Sequence, residues 1–348
     1  MNEPKYITIV RQLRSGIQQG LYESGKKLPS ENELAEQTGY SRQTIRQAMS
    51  ILESEGLTER IRGSGTYVKS ARPRRARTNN IAVVTTYIGE YIFPAILQGI
   101  SGALSEKGYT PLLSATQNRV DIEREVLKSL MQKPIDGIIV EGTKTALPNP
   151  NIELYEEIEK QGIPVVFING YYADLKQPIY VVMNDREGGR LACEAPLKEG
   201  HRHIAGFFKI DDIQGHRRYA GYAEALVKAG LGVEDDHVLW YTTESRDLLI
   251  HNSAAEVLRG CSAAVCYNDE TALLAIQACK EADVSWVSFD QSIYARMPEA
   301  PLRSLGNPKE VLGRLAAEKL ICLLNGGKET SVVLPWSPMA YNQPEDTI

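Results

Sequence analysis

From residue 81 to about residue 290, short apolar segments alternate with segments of helical periodicity. Strands that alternate with helices of about 10 to 15 residues are typical of parallel α/β sheets. The alternation begins again after the segment VVMND, so it predicts two successive α/β lobes. The predicted strands are residues 81–86, 110–116, 137–140 and 164–169, then residues 203–208, 237–243, 262–268 and 284–289.

Helical periodicity also predicts the helices that connect these strands. Pro196 lies inside one of them, and a proline there removes a hydrogen bond and collides with the preceding turn, so we expect a break or a kink. The last predicted helix is expected to pack back across both lobes. The predicted helices are residues 94–107, 121–131, 152–161, 188–199, 216–229, 247–258, 269–281 and 308–325.

The first seventy residues have a different organisation, with three short helices and two short strands. Ser30 and Glu33 form a capping box at the start of the second helix, and Ser41 caps the third. Only a three-residue turn separates these two helices, a spacing typical of a helix-turn-helix. The sequence therefore predicts an α+β winged helix-turn-helix, with helices at residues 5–18, 31–38 and 42–55 and wing strands at residues 57–61 and 66–69.

Two arginines, Arg42 and Arg46, lie in the first turns of the third helix. Cations are disfavoured there by about 1 kcal/mol or less, because the helix dipole is positive at that end. A bidentate contact to a DNA base contributes about 1–3 kcal/mol, so entry into the major groove would outweigh this cost. A solvated surface cation is the alternative for each. The residues placed for DNA contact are Lys5, Arg42, Gln43, Thr44, Arg46 and Arg62.

The charge of the chain is divided unevenly. Residues 1–80 hold 14 Lys and Arg against 8 Asp and Glu, whereas the rest holds 25 against 36. A basic N-terminal part on an acidic body favours contact of that part with a polyanion. Residues 71–80 are polar, basic and proline-containing, which predicts a linker. Phosphate contact and a solvated tether are equally compatible with its arginines, which are Arg72, Arg74, Arg75 and Arg77.

The sequence shows neither a secretory signal peptide nor an apolar run of about 20 residues, so we expect a cytoplasmic protein without a membrane partner. Its five cysteines lack metal-binding spacing and are expected to be reduced core residues. His201 and His203 have no matching ligands nearby, so no metal site is predicted. No nucleophile elbow or phosphate loop is present, and we expect neither an enzyme nor a cofactor.

Polar residues follow most predicted strands of the two lobes. In parallel α/β sheets, ligands bind beyond the carboxyl ends of the strands. Carboxylates, amides and a few cations suit a polyhydroxylated ligand, because each hydroxyl can both donate and accept a hydrogen bond. Tyr91, Phe93 and Trp286 could stack on a sugar ring, although Trp286 lies within a strand. The strand-end residues that we select are Glu141, Lys144, Asn169, Asp185, Asp212, Asn268, Asp290 and Gln291.

The segment KKLPSENELAEQTGYSRQTIRQAMSILESEGLTERIRGSGTYV resembles the GntR family of bacterial repressors. It matches the family pattern of LPSE, SR-x-T-[VI]-R-x-A, L-x-x-x-G-L and a G-x-G-T-[FY]-V wing. The resemblance implies that operator double-stranded DNA is a partner. It places at or near the interface Glu31, Asn32, Arg42, Gln43, Arg46, Arg62 and Gly65.

The body resembles the LacI/GalR effector domains, on segments such as DGIIVEGTK, VVMNDREGGRLACE, RRYAGYAEAL and AAVCYNDETALLAI. The resemblance implies a small-molecule sugar effector and a homodimer. It also implies a division into a DNA-binding domain over residues 1–70, a linker over residues 71–80 and an effector-binding and dimerisation domain over residues 81–348. The ligand contacts that it implies are Glu141, Asp185, Arg218, Asn268 and Asp290, and we add Gln214 as a further candidate. These effector domains are similar to periplasmic sugar-binding proteins, so the resemblance implies an α/β two-lobed, periplasmic-binding-protein-like fold.

A GntR head on a LacI-type body resembles the arabinose repressors of Gram-positive bacteria. This resemblance implies a repressor of arabinose or pentose utilisation genes that L-arabinose releases from its operator. Two alternatives stay open at this point. One is a regulator of the same build that senses another sugar or a nucleoside, and the other is a sugar-processing enzyme with a fused DNA-binding head.

Overall fold

The structure is a computed structural model that describes residues 4–18, 21–23, 25–68, 77–297 and 301–341. Arg72, Arg74 and Arg75 of the predicted linker lie outside these residues. The chain divides into two compact units, Met1–Arg77 and Thr78–Ile348.

The N-terminal unit is the predicted winged helix-turn-helix. The predicted capping box is confirmed, because Glu33 N donates to Ser30 Oγ and Ser30 N donates to Glu33 Oε2. Leu34, Ile45 and Leu52 are buried in the core of this unit. Its elements are helices α1 (Lys5–Gln18), α2 (Glu31–Thr38) and α3 (Arg42–Ser54), followed by the antiparallel strands β1 (Thr58–Ile61) and β2 (Gly65–Val68).

The second unit contains two lobes, each a six-stranded sheet with helices packed against it. The elements of the first part are β3 (Asn80–Thr85), α4 (Phe93–Glu106), β4 (Thr110–Ala115), α5 (Val120–Met131), β5 (Gly137–Val140), α6 (Ile152–Lys160), β6 (Val165–Ile168) and β7 (Ile179–Met183). The elements of the second part are α7 (Asp185–Lys198), β8 (Ile204–Lys209), α8 (Ile213–Lys228), β9 (Val238–Tyr241), α9 (Arg246–Val257), β10 (Ala263–Cys266), α10 (Asp269–Ala278), β11 (Ser285–Asp290), β12 (Leu302–Gly306), α11 (Lys309–Leu324), β13 (Val332–Leu334) and β14 (Ser337–Tyr341).

The first lobe is a parallel sheet with strand order β13-β7-β6-β5-β3-β4. The second lobe has the order β14-β12-β11-β10-β8-β9, in which only β14 is antiparallel to its neighbour. The two predicted α/β lobes are therefore confirmed. The prediction lacked four strands, which extend one side of each sheet beyond the predicted strands. They are β7 and β13 in the first sheet, and β12 and β14 in the second.

The structure corrects two helix predictions in part: α7 is not broken at Pro196, and the last helix packs mainly on one lobe. Helix α7 continues through Pro196 to Lys198, because the proline lies in its last turn and removes a single N–H. The Pro196 carbonyl accepts from Glu199 N and His201 N, at 3.1 Å each, which closes the helix end. The last helix, α11, packs along its length on α4 and on strands β5, β6 and β7 of the first lobe, whereas its first residue, Lys309, donates from Nζ to the Asp290 carbonyl oxygen of the second lobe.

Helices α7 and α8 pack at backbone distance through glycines. A Cβ atom at Gly189 would lie 1.9 Å from the carbonyl oxygen of Arg218, and one at Gly221 would lie 1.9 Å from that of Arg186. No other residue type fits at these two positions without separating the helices. This close packing carries Asp185, the first residue of α7, toward the side chain of Arg218 on α8.

Candidate nucleic-acid interface and interlobe cleft

Helix α3 presents a polar start and an apolar flank. Ser41 Oγ accepts a hydrogen bond from Thr44 N at 3.2 Å, and the Thr44 hydroxyl lies 2.7 Å from the same oxygen. Ile45 is fully buried, whereas Arg42 and Gln43 are exposed. The first turn of α3 therefore offers a guanidinium and an amide to a partner molecule while Thr44 contributes to the helix cap.

Arg46 is paired with Glu31 at the start of α2. Its Nη2 and Nε lie 2.9 Å and 3.1 Å from Glu31 Oε2, and Arg60 Nη2 lies 3.7 Å from Oε1. The hydrogen bond from Arg46 lowers the pKa of the Glu31 carboxyl. Glu31 therefore orients two cations on the same face as the start of α3, where a phosphate would compete for them.

The wing turn depends on glycine. Gly63 and Gly65 have φ angles of +78° and +133°, which favour glycine. A Cβ atom at Gly65 would also lie 2.4 Å from Lys27 Cε, so the absence of a side chain lets Lys27 cross the wing beside Tyr67. Arg62 is exposed in the wing turn. Lys27 is a cation on this face that the sequence analysis did not select. Its position directly before the LPSE motif is the feature of the sequence that could have indicated a place near the DNA.

The residues predicted to contact DNA are found at the starts of α1, α2 and α3 and in the wing. Three of them are half-buried and six are exposed. The half-buried residues are Glu31, Thr44 and Gly65, and the exposed ones are Lys5, Asn32, Arg42, Gln43, Arg46 and Arg62.

The second candidate site is a cleft between the two lobes, with a cavity of about 200 Å³. Residues at the carboxyl ends of strands from both sheets line it, as expected for parallel α/β sheets. Ten of the twelve predicted ligand contacts line this cavity, and they are Tyr91, Phe93, Glu141, Asn169, Asp185, Asp212, Gln214, Arg218, Asn268 and Asp290.

Arg218 and Asp185 form a buried ion pair in the floor of the cleft. Arg218 Nε donates to Asp185 Oδ1 at 2.8 Å, and Nη1 donates to the carbonyl oxygen of Tyr267. The guanidinium carbon lies 4.5 Å from the ring centroid of Phe289 and 5.0 Å from that of Trp336. Burial raises the pKa of Asp185 to about 6, although Arg218 opposes the shift. The aromatic rings hold the guanidinium in one plane and orient its charge.

Asp290 ends strand β11 and meets residues from the opposite lobe. The Tyr91 hydroxyl donates to Asp290 Oδ2 at 2.5 Å, and Asn307 Nδ2 donates to Oδ1 at 3.2 Å. Burial, followed by the Asp290 charge, raises the pKa of Tyr91 well above its usual range, so the phenol stays a donor. Tyr91 thereby connects the first lobe to the second across the cleft.

Glu141, at the end of strand β5, is hydrogen-bonded to polar groups of its own lobe. Its carboxylate accepts from Thr86 N at 3.0 Å, from Thr86 Oγ1 at 2.5 Å and from Asn169 Nδ2 at 2.7 Å. Burial raises the pKa of Glu141, with these hydrogen bonds opposing the shift. The three groups form a fixed polar wall on the side of the first lobe.

Two further ion pairs line the cavity. Lys209 Nζ lies 2.5 Å from Asp212 Oδ2, and Arg246 Nη1 lies 2.6 Å from Glu270 Oε2. Lys209 follows a predicted strand, and this position at a strand end indicates from sequence alone that it lies at the cleft. Arg246 and Glu270 were missed, because each lies in the first turn of a helix, where sequence alone does not distinguish a cleft from solvent.

Three polar atoms at the cleft are buried and make no hydrogen bond with the part of the chain that the structure describes. They are Asp185 Oδ2, Gln214 Oε1 and Asn307 Oδ1, and all three residues line the cavity. Buried acceptors without a donor are costly, by about 1–3 kcal/mol each. The cleft therefore carries acceptors that suit the hydroxyl groups of a polyol.

The other two predicted contacts, Lys144 and Gln291, lie elsewhere, and so does Trp286, which was considered for stacking on a sugar. Lys144 Nζ lies 2.5 Å from Glu244 Oε1 at the rim and does not line the cavity. Gln291 Nε2 donates to the carbonyl oxygens of Ser304 and Pro338 at the second sheet's edge. Trp286 is a core residue, 3% exposed and packed against Phe207.

Within the described ranges, no group of His, Cys, Asp and Glu is arranged to hold a metal ion. The helices of these ranges also include none that is long and apolar enough to span a membrane.

Two family models match the chain. Residues 5–68 match the bacterial regulatory proteins of the gntR family, and residues 78–332 match the periplasmic binding proteins and sugar binding domain of the LacI family. The solved transcription regulator CcpA of Lactococcus lactis shares the fold of the second unit, with a TM-score of 0.67 and 23% identity over 76% of this chain and 98% of that one.

Curated relatives extend over both units. An arabinose metabolism transcriptional repressor of Geobacillus stearothermophilus is 38% identical over 92% of this chain and 91% of its own length. One of the same description from Halalkalibacterium halodurans is 36% identical over 94% of this chain and 92% of its own length. The chain therefore belongs to the bacterial transcriptional repressors in which a gntR-type DNA-binding head precedes a LacI-type sugar-binding domain.

Proposed function

We propose that the protein represses arabinose or pentose utilisation genes and that L-arabinose releases it from operator DNA. The relatives with this description share more than a third of their residues with it over nearly the whole chain. The observation that carries the sugar assignment is the set of buried, unpartnered acceptors around the Asp185–Arg218 pair.

The cleft offers both kinds of hydrogen-bonding group that a pentose needs. Asp185 Oδ2 and Asn307 Oδ1 accept from sugar hydroxyls, while Arg218 and Asn169 donate to sugar oxygens. The lining holds six carboxyl groups and three cations, a balance that favours a neutral polyol over a sugar phosphate. The rings of Tyr91 and Phe93 offer apolar surface for the C–H face of the sugar.

Residues 1–70 bind double-stranded DNA, residues 71–80 act as a linker, and residues 81–348 bind the effector and form a homodimer. Two features support the dimer. The strands β4 and β9 each lie at an open edge of a sheet, and Leu113 on β4 is 48% exposed. A dimer would present two recognition helices to two half-sites, so sugar-driven closure that alters their spacing would weaken operator binding.

We further propose that the protein acts in the cytoplasm as a regulator and not as an enzyme, without a cofactor other than the sugar effector. Two carboxyl groups of the cleft are committed to structural partners. Asp290 accepts from Tyr91 and Asn307, and Glu141 accepts from Thr86 and Asn169. Such groups suit binding more than proton transfer.

A titration with sugars, followed by a DNA-binding assay, tests the proposal. Calorimetry of the full chain with L-arabinose, D-ribose and D-xylose should show binding of L-arabinose alone. A duplex selected from a random pool should then lose affinity for the protein when L-arabinose is added and keep it with D-ribose. An equal response to both pentoses, or to neither, contradicts the sugar assignment.

A nucleoside is the second candidate, because aromatic rings line part of the cleft. The rings of Tyr91 and Tyr294 are stacked with centroids 6.0 Å apart, and both residues line the cavity. A planar base could extend such a stack. Adenosine and uridine in the same calorimetric series decide between the two, since binding of either without L-arabinose binding would favour the nucleoside.

A further inference from the structure

The rim of the cleft carries a charge cluster that spans the two lobes and lies outside the cavity. Lys144 in the first lobe places its Nζ 2.5 Å from Glu244 Oε1 and 3.9 Å from Asp211 Oδ2 in the second. The Asp211 side chain is fully buried, and it also lies 3.8 Å from Lys209 Nζ. A lysine that reaches two carboxylates of the opposite lobe contributes to closure of the lobes.

A hydrogen-bonded frame of Asn118 and Thr243, two residues that line the cavity, holds this cluster in place. Asn118 Oδ1 accepts from Lys144 N at 3.0 Å, and Asn118 Nδ2 donates to Thr243 Oγ1 of the opposite lobe at 2.6 Å. Asp211 Oδ2 accepts from Thr243 N at 3.0 Å and from Thr243 Oγ1 at 2.8 Å. Asn118 and Thr243 thus connect the backbone of Lys144 to the carboxylate that its side chain approaches.

The backbone supports a functional role for this frame. Asn118 and Lys144 have φ angles of +52° and +46°, in the left-handed region that disfavours residues with a Cβ atom. For lysine in particular, this conformation costs free energy and persists only where the surrounding contacts maintain it. Strain of this kind is concentrated at switch regions and ligand clamps.

We propose that Asn118, Lys144, Asp211 and Glu244 form a rim lock, a positioning cluster that holds the lobes closed and thereby sets the affinity of the cleft for its ligand. Lys144 contacts the opposite lobe and not the ligand. The hydrogen bond and charge of Lys144 lower the pKa of Glu244, in agreement with an ion pair at neutral pH. The identity of the ligand rests on the function proposed above, whereas the lock itself does not.

Two backbone amides report on closure without any ligand. Ala146 N of the first lobe donates to the Asp211 carbonyl oxygen at 3.2 Å, and Ile213 N of the second donates to Thr145 Oγ1 at 3.1 Å. Both bonds exist only while the lobes are together. Hydrogen exchange of the full chain, measured without ligand on peptides that contain these two amides, therefore measures how tightly the rim is held.

The variants are Lys144→Met, the conservative Lys144→Arg, which keeps a cation beside both Glu244 and Asp211, and the control Lys128→Met. Lys128 pairs with Glu125 within α5, 3.1 Å away, so the control removes a lysine–glutamate pair that does not cross the cleft. Lys144→Met should accelerate exchange at both amides and weaken L-arabinose binding about three- to fivefold, in line with a partly exposed ion pair. Lys144→Arg should keep most of the protection and most of the affinity, and Lys128→Met should change neither.

The outcomes separate the lock from the sugar assignment. Unchanged exchange at both amides in Lys144→Met overturns the lock, whatever the protein binds. Loss of L-arabinose binding by more than a hundredfold in Lys144→Met also overturns it, because Lys144 would then contact the sugar directly. If the wild-type protein does not bind L-arabinose, the proposed function fails, and the exchange comparison alone decides whether the lock exists.

Discussion

Arg218 and Asp185 join the two glycine-packed helices of the second lobe, with Arg218 Nε 2.8 Å from Asp185 Oδ1. Both side chains are almost completely buried, and Asp185 keeps its second oxygen unpartnered among the described residues. One carboxylate therefore both stabilises the lobe and faces the ligand cavity, so structure and recognition depend on the same pair.

The first prediction concerns this pair. Arg218→Met leaves a buried carboxylate without its cation, and this should lower the free energy of unfolding of the body by about 3–5 kcal/mol. The measurement is denaturant unfolding of the full chain. Arg186→Met is the control, because Arg186 pairs with Glu224 at an exposed site, where the cost should be at most about 1 kcal/mol. Equal stability of both variants would refute the assignment.

The second prediction concerns pH. Burial raises the pKa values of Asp185 and Asp269 to about 6, above their ordinary value of 3.8. In the pH range between the ordinary pKa of 3.8 and the raised pKa of about 6, the folded state binds more protons than the unfolded state. The free energy of unfolding therefore rises as the pH falls through this range. Lowering the pH from 7.5 to 5.5 should add about 1 kcal/mol per carboxyl to the free energy of unfolding.

Unfolding titrations at the two pH values check this, and Asp269→Asn serves as the comparison. That variant removes one of the two carboxyls whose pKa is about 6 and should reduce the change in stability by about 1 kcal/mol. A stability that decreases steadily over the same interval would contradict the raised pKa values.

The third prediction concerns DNA. Arg46→Ala removes a cation at the start of α3 and should weaken binding of a selected duplex about 10- to 100-fold, the loss of one bidentate base contact. L-arabinose binding should stay unchanged. Fluorescence anisotropy at moderate salt measures the duplex affinity, and calorimetry measures the sugar affinity.

Arg14→Ala is the matched control for Arg46→Ala. Arg14 also pairs with a glutamate, with its Nη2 2.6 Å from Glu55 Oε1, but it lies on α1 away from the start of α3. The control should retain duplex affinity. If Arg46→Ala binds as well as Arg14→Ala, the recognition helix does not enter the groove in the proposed way.

The fourth prediction concerns the glycine contact between α7 and α8. Gly189→Ala places a methyl group against the Arg218 backbone and should destabilise the body by about 1–3 kcal/mol. Gly102→Ala in α4 is the control, because its nearest neighbour would be an Arg314 side-chain nitrogen at 3.8 Å. That change should be neutral or stabilising, since alanine favours helix. Thermal unfolding of both variants decides whether the helices must approach so closely.

Periodicity and strand-end position predicted most of the cleft. Parallel α/β topology brings strand ends together, so polar residues such as Glu141, Asn169 and Asp290 could be located before any coordinates. The direction in which a side chain points could not be predicted from its position after a strand. Lys144 follows a strand as Glu141 does, but its left-handed backbone turns it to the rim and toward Glu244.

The four missed strands have physical reasons in their sequences. Strand β12 contains Arg303, which is buried and paired with Glu199, so a charge interrupts the apolar pattern. Strand β14 contains Pro338, a residue that lowers strand propensity and is tolerated at a sheet edge. Strands β7 and β13 are short and follow irregular segments, and β13 pairs with β7 from a position more than 140 residues further along the chain.

The C-terminal strands have a genetic consequence. The chain passes from lobe to lobe between β7 and α7, between β12 and α11, and between β13 and β14, so its last two strands belong to different lobes. A stop codon just after α11 would delete β13 and β14, so that β7 and β12 become edge strands of their sheets. Such late nonsense alleles should abolish sugar response while preserving an intact DNA-binding head. They should therefore behave as uninducible or dominant alleles and not as simple nulls.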